Sequence, residues 1–366
     1  MGVLPSSRRH RMQSLPIRSG QGDYVVESLD DLRQIAEQIA TLPNAVIVID
    51  RNVATLYTDV LQPALQNKRT LMIDATEEEK SLLGVTRALN FFQISNCVKA
   101  SLVVAIGGGI TQDIVAFAAH MYYRGLKWVF VPTTLLAMAD SCIGAKCGVN
   151  LNEYKNQLGV FYSPLRVLVC IKFLETLTEA DVRSGYGEIL KLSLTGSTEF
   201  FNAYMVQVNR DGFRRSNIET MIYDSLCVKK QVIEQDEYEI DLRRILNYGH
   251  TFGHALEAIT HYAVPHGQAV VWGLDLVNWI AQRQGLLSKS DFDLIHSFIQ
   301  QYFAIRFECP VSATELIQGA RRDKKVSGSR VNLVLLERPG SLKIVPTVFD
   351  DHLAQWVAEY LKLDHA

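Results

Sequence analysis

Leu102-Val103-Val104-Ala105-Ile106-Gly107-Gly108-Gly109 decides the fold class: an apolar run of strand length ends in three glycines, and a helical pattern from about Gln112 to Tyr122 follows. An unbroken apolar run is the mark of a strand buried on both faces, as in a parallel sheet. Glycines at such a junction let the backbone approach a pyrophosphate at the helix N-terminus. The run is not GxGxxG, so a tight strand-to-helix turn is an alternative reading.

Working outward, the pattern repeats. Ala45–Asp50 (AVIVID), 71–74 and 128–131 read as buried strands, and 28–41 and 77–92 as helices. This βαβ series predicts a doubly wound, Rossmann-like parallel sheet. After about Glu175 helical periodicity takes over, at 179–195, 217–235, 244–260, 267–285, 291–303 and 350–362. A hairpin is expected at 331–336 and 342–345, joined through Pro339-Gly340. The expected organisation is a disordered tail over 1–23, an α/β domain over 24–175 and a mainly helical domain over 176–366.

The chain has 366 residues, 48% hydrophobic and 21% charged, with a formal net charge of −2. That is enough to bury a core without staples and gives no bulk attraction for nucleic acid. Cysteines at 97, 142, 147, 170, 227 and 309 form no CxxC pair, which fits buried thiols in a reducing, cytoplasmic setting. No run of 18 apolar residues predicts a membrane span. The first 23 residues are polar and basic and lack a signal-peptide core. Gly2 with Ser6 formally matches a myristoylation pattern, a short and unspecific signal.

The chemistry gathers in the second half. His250 and His254 are one helical turn apart in Asn247-Tyr248-Gly249-His250-Thr251-Phe252-Gly253-His254, and Pro265-His266-Gly267 follows. Glu188, in Gly187-Glu188-Ile189-Leu190-Lys191, with two of the three imidazoles would hold Zn²⁺ and leave a position for substrate. Ordinary packing of an i,i+4 histidine pair is the alternative, as is a simple surface ion pair for Glu188 and Lys191. Arg243 and Asn247 are expected on the helix face of His250 and His254, with Lys229 on a neighbouring helical segment. So much positive charge and imidazole on one face calls for an anion and a metal to offset it. In the first half, Asp50 at a strand end is placed for ribose hydroxyls or for a helix N-cap. Lys146, Lys155 and Asn156 are read as lying in glycine-containing loops suited to phosphate oxygens or a polyol.

These motifs together resemble the dehydroquinate synthase family of sugar-phosphate cyclases, over about residues 45–345. The resemblance rests on GGGxxxD at 107–113, YxRG at 122–125, PTTLLAxxDSxxGxK at 132–146 and KNxxGxFxxP at 155–164. It continues with GExxK at 187–191, NxGHTFGHAxE at 247–257, HGxAV at 266–270 and Asp323-Lys324-Lys325. It implies an NAD-binding α/β domain and a helical metal-binding domain. Glu188, His250 and His266 would ligate zinc, with Co²⁺ as an alternative. Lys146, Asn156, Lys191, Asn247, His254 and Lys324 or Lys325 would surround the substrate's hydroxyls and phosphate, and Lys229 and Arg243 its carboxylate. Arg124 would reach the phosphate from a neighbouring subunit, implying a homodimer. Asp50, Glu77, Lys80, Gly108, Gly109, Asp113, Thr133, Thr134, Asp140 and Lys155 would contact NAD.

The implied activity is a phosphate-eliminating carbon–oxygen lyase that closes the seven-carbon sugar acid phosphate DAHP to 3-dehydroquinate, with NAD regenerated in each turn. An aminodehydroquinate-forming or other specialised-pathway cyclase is the nearest alternative. An NAD- and metal-dependent polyol dehydrogenase is a more distant one. The chain departs from the family pattern at Gln112, Ala145 and Gln268, where glycine, glycine and glutamate are usual.

Overall fold

The computed structural model describes residues 14–152, 154–214, 218–305, 311–321, 326–327 and 330–363. Lys324, Lys325, Cys309 and the Gly2/Ser6 pattern lie outside the described residues. The chain forms two compact units, one of 1–177 with 214–230, the other of 178–213 with 231–366.

The first unit carries, in chain order, β1 (Ser14–Ile17), β2 (Tyr24–Ser28), α1 (Leu32–Thr41), β3 (Ala45–Asp50), α2 (Arg51–Leu56), α3 (Thr58–Leu65), β4 (Thr70–Ile73) and α4 (Leu82–Ile94). After these come β5 (Leu102–Gly107), α5 (Gly109–Met121), β6 (Lys127–Pro132), β7 (Lys146–Leu151), β8 (Tyr154–Phe161) and β9 (Arg166–Val169). Seven strands form one sheet in the order β1-β2-β9-β6-β5-β3-β4, parallel throughout except for the β1–β2 pair. The apolar runs of β3, β5 and β6 are buried almost end to end, as strands covered on both faces must be.

Three expectations for this unit are corrected. The tail expected to be disordered over 1–23 contributes β1 to the sheet, antiparallel to β2. The helix expected over 28–41 begins only at Leu32, after β2, because Asp31 caps it by accepting from the Arg33 amide. Lys146, Lys155 and Asn156 are not in loops. They sit on the β7–β8 antiparallel hairpin, where Lys146 opposes Phe161.

The second unit holds α6 (Glu179–Gly196), α7 (Thr198–Asp211), α9 (His250–Ile259), α10 (His266–Arg283), α11 (Lys289–Phe303), α12 (Ala313–Arg321) and α13 (Asp351–Leu363). α8 (Glu219–Ile233) begins in the first unit and ends in the second. The small sheet of β10 (Val326–Ser327), β11 (Arg330–Arg338) and β12 (Ser341–Val348) contains the expected hairpin, which turns at Gly340 with φ +85°.

Glycine brings three helices close enough to build a site. A Cβ on Gly267 would lie 1.8 Å from the Ser184 carbonyl oxygen, so α10 crosses α6 backbone to backbone. A Cβ on Gly273 would lie 2.1 Å from the Gly249 carbonyl oxygen, which fixes the entry to α9 against α10. Arg243 and Asn247 are not on the helix of His250 and His254, as expected, but on a 3-10 turn, Leu242–Asn247. Gly249, at φ +78°, breaks the pattern between turn and helix.

Candidate active site

Glu188 projects from α6, His250 and His254 from α9, and His266 begins α10. Glu188 is 1% exposed. Its Oε1 lies 3.2 Å from His266 Nε2 and 3.7 Å from His250 Nε2. The three imidazoles form a cluster of their own, with ligand nitrogens within 4.8 Å of one another. The expected set of Glu188, His250 and His266 therefore converges, with His254 adjoining it.

The outer partners decide which nitrogens face the cluster. His266 Nδ1 lies 3.0 Å from the buried Glu257 carboxylate, and His250 Nδ1 lies 3.1 Å from the Tyr248 carbonyl. Acceptors at both Nδ1 atoms place a hydrogen there, so Nε2 is the atom each ring turns to the cluster, open to a cation once any Nε2 proton has left. A glutamate and two imidazoles in this state are a donor set that fits zinc. Glu257 closes the NxGHTFGHAxE motif but received no role from the sequence. Its spacing from His250 and His254 put it on their helix, and only the structure shows that it serves His266.

The electrostatics agree. Burial alone would raise the Glu188 carboxyl, but Lys191 at 2.6 Å and His266 outweigh it and hold it ionised well below the usual range. Burial lowers the His266 imidazole, but Glu257 and Glu188 outweigh it and push it up to about 10. The pocket thus favours positive charge at His266 Nε2, where a cation would sit.

Lys191 is buried beside Glu188. Arg243 is buried and donates through Nη1 to the Glu237 carbonyl. Asp236 sets that turn, accepting from the amides of Ile240, Asp241 and Arg243 at 2.9, 2.8 and 2.9 Å. Asn247 donates to Glu239. Lys229 belongs to the first unit, where its ammonium donates to the Asp140 carbonyl at 2.7 Å and to the Asp140 carboxylate.

The expected NAD residues of the first unit cluster around β5, α5 and the hairpin. Gly108 is the N-cap of α5 and offers no side-chain cap, so the first amides of the helix are left for a ligand. A Cβ on Gly109 would meet only Ser141 Oγ, at 3.8 Å, so the approach there is open. Thr111 Oγ1, in the first turn, is buried without a hydrogen-bond partner. These features fit a pyrophosphate. Thr133 donates its amide to Gly107, and Thr134 Oγ1 accepts from Ala137.

Lys80 and Asp113 pair at 2.6 Å; burial opposes the ammonium, but Asp113 and Glu77 hold it above its ordinary range. Glu77 is 3.5 Å from Lys155 and accepts from Asn150 at 2.8 Å. Asp50 caps α2 by accepting from the Asn52 amide at 2.8 Å. The exposed Asn156 takes φ +53° and donates its amide to Asn150.

Arg124 is exposed at a tight turn, with Tyr123 at φ +50° and Arg124 at φ +58°. Lys99, which the sequence did not single out, secures this turn by donating to the carbonyls of Tyr123, Arg124 and Gly125 at 2.8, 3.1 and 2.6 Å. Two departures from the family pattern also acquire a structural setting. The Gln112 amide makes two 2.7 Å hydrogen bonds with Ser141, tying α5 to the Asp140 segment. Ala145, buried, adopts φ +58°, a conformation that favours glycine.

Residues 70–184 match the model of the 3-dehydroquinate synthase N-terminal part, and 185–326 that of the C-terminal part. A 3-dehydroquinate synthase of Acidithiobacillus ferrooxidans is 33% identical over 365 residues, covering 97% of this chain and 100% of the relative. One from Pelagibacter ubique is 36% identical over 313 residues, covering 81% and 83%. Among solved structures, 2-epi-5-epi-valiolone synthase from Streptomyces hygroscopicus subsp. jinggangensis, with NAD+ and Zn2+ bound, matches at 25% identity and TM-score 0.83, covering 94% of this chain and 98% of that one. A 2-deoxy-scyllo-inosose synthase shares the fold at TM-score 0.85 and 22% identity, covering 94% and 99%. The chain belongs to the 3-dehydroquinate synthase family.

Proposed function

We propose that this chain is a phosphate-eliminating cyclase that converts DAHP to 3-dehydroquinate and inorganic phosphate, using NAD catalytically and one divalent cation. The observation that carries this reading is the convergence of Glu188, His250 and His266 with Lys191, each imidazole turned by an outer acceptor. It is supported by relatives named 3-dehydroquinate synthase that match nearly the whole chain, and by a structural relative solved with NAD+ and Zn2+. When bound, NAD supplies a hydride acceptor restored within each turnover, and the cation supplies a Lewis acid for the substrate hydroxyl.

The chain's own residues supply binding and charge. NAD binding falls to residues 24–175 and metal and substrate binding to 176–366, of which 214–230 group with the first unit. Glu188, His250 and His266 are the metal ligands. Lys191, Asn247 and His254 bind hydroxyls and hold protons. Lys146, Asn156 and the Lys324–Lys325 pair offset the charge of the departing phosphate. The family resemblance assigns the carboxylate to Lys229 and Arg243, whose cationic groups suit it.

Arg124 completes a neighbouring subunit's phosphate site in a homodimer, a reading supported by its exposure on a turn secured by Lys99. A cytoplasmic setting is supported by unbridged cysteines among the described residues. Among those residues, no helix is long and apolar enough to cross a membrane.

The test is substrate choice. Arg243→Ala should lower kcat/KM for DAHP by about 10–100-fold, the loss of a charge-assisted bond. It should change far less on sedoheptulose 7-phosphate, which lacks the carboxylate. Faster turnover of sedoheptulose 7-phosphate than of DAHP by the wild type would overturn the assignment.

A further inference from the structure

His250 is oriented by a backbone carbonyl, and that carbonyl is secured by a buried polar chain to which neither the sequence motifs nor the site described above gives a role. The carbonyl belongs to Tyr248, whose ring is fully buried and whose hydroxyl donates to Asn278 Oδ1 on α10. Asn278 is 0% exposed, and its Nδ2 has no hydrogen-bond partner. One turn earlier on α10, Asp275 is also 0% exposed. Its Oδ2 accepts from Tyr360 of α13 at 2.8 Å and lies 2.7 Å from His296 Nδ1 of α11, while its Oδ1 has no partner.

An amide and a carboxylate on the buried face of a helix are costly, more so with atoms left unmatched. Apolar residues would pack that face more cheaply, as Val271, Leu274 and Val277 do beside them. What Asn278 achieves is local: it accepts from the Tyr248 hydroxyl and so pins the residue whose carbonyl meets His250 Nδ1. At the next residue, the Gly249 backbone rests against Gly273 and Val270 of the same helix. The carbonyl is therefore held at two points along α10, and it offers the His250 Nδ1 hydrogen an acceptor.

We propose that Asn278, acting through Tyr248, is the positioning residue that holds His250 with Nδ1 protonated and Nε2 presented to the divalent cation. The proposal rests on the reading of His250 as a metal ligand.

The test uses full-length protein labelled with 15N at histidine, with His250→Gln to assign the resonance. In wild type treated with chelator, long-range 15N–1H spectra at pH 8.5 should show His250 in the Nδ1–H tautomer. Asn278→Leu and Tyr248→Phe should both show mixed tautomers and bind Zn2+ about 10–100-fold more weakly by chelator competition. Tyr248→Phe keeps the ring and decides the matter if Asn278→Leu does not fold. Single-tautomer spectra and Zn2+ affinity within twofold of wild type in the folded variants would overturn the proposal. His250→Ala separates the two readings: if it leaves Zn2+ affinity unchanged, the ligand assignment fails, while the tautomer spectra still decide what orients the ring.

Discussion

Replacing Glu257 by glutamine removes one charge and leaves an acceptor for His266 Nδ1, so it isolates the electrostatic part of the site. The Glu257 carboxylate sits 3.0 Å from that nitrogen. With Glu188 it pushes the His266 imidazole up to about 10, against burial. The sign follows. A raised imidazole is protonated at pH 7.5, and the proton occupies Nε2, the atom offered to a metal. Zn2+ must displace it, at a cost of about 3 kcal/mol for roughly two and a half pH units.

Calorimetric titration of Zn2+ in buffers of different ionisation enthalpy should therefore count about one proton released per ion in the wild type. In Glu257→Gln the largest raising influence is gone while Glu188 still raises the ring against burial, so the count should fall below that of the wild type. Equal proton release by the two proteins, or none from the wild type, would refute the reasoning.

Two further outcomes follow from local geometry. Ala145→Gly should stabilise the fold by about 0.5–1 kcal/mol, the relief of a left-handed alanine less the extra freedom of glycine when unfolded; denaturant midpoints measure it. Asp236 should contribute stability in a definite pH window. Burial raises its carboxyl, but the amides of Arg243, Ile240 and Asp241 outweigh this and depress it. A depressed carboxyl stabilises above its unfolded value, near 4, and loses that contribution as pH falls through the folded value. The deficit of Asp236→Ala in urea unfolding should thus be full at pH 6–7 and close below about pH 4.

The parts of this fold legible in the sequence were those with one period and one environment. β3, β5 and β6 read as buried strands because both faces are covered. The hairpin of β7 and β8 was missed because its exposed and half-buried residues follow no clean alternation. β1, β2 and β9 are short, at 4, 5 and 4 residues, and their pairing is set by distant chain.

The helix expected over 244–260 ran through Gly249, and the left-handed break there moved Arg243 and Asn247 onto a separate turn. Glu188, His250 and His266, which the fold brings together, were legible as motif and spacing. Their outer partners were not, since the role of Glu257 depends on where His266 comes to lie. Gln112 looked like simple divergence, and only the fold brings Ser141 within its reach.

The most direct test of the account supplies the purified protein with Zn2+, DAHP and NAD+ at a small fraction of the DAHP concentration, and follows phosphate, NADH and product mass together. The account predicts many equivalents of phosphate and 3-dehydroquinate per NAD+, with no net NADH at the end. NADH rising in step with consumed substrate, without phosphate release, would contradict it.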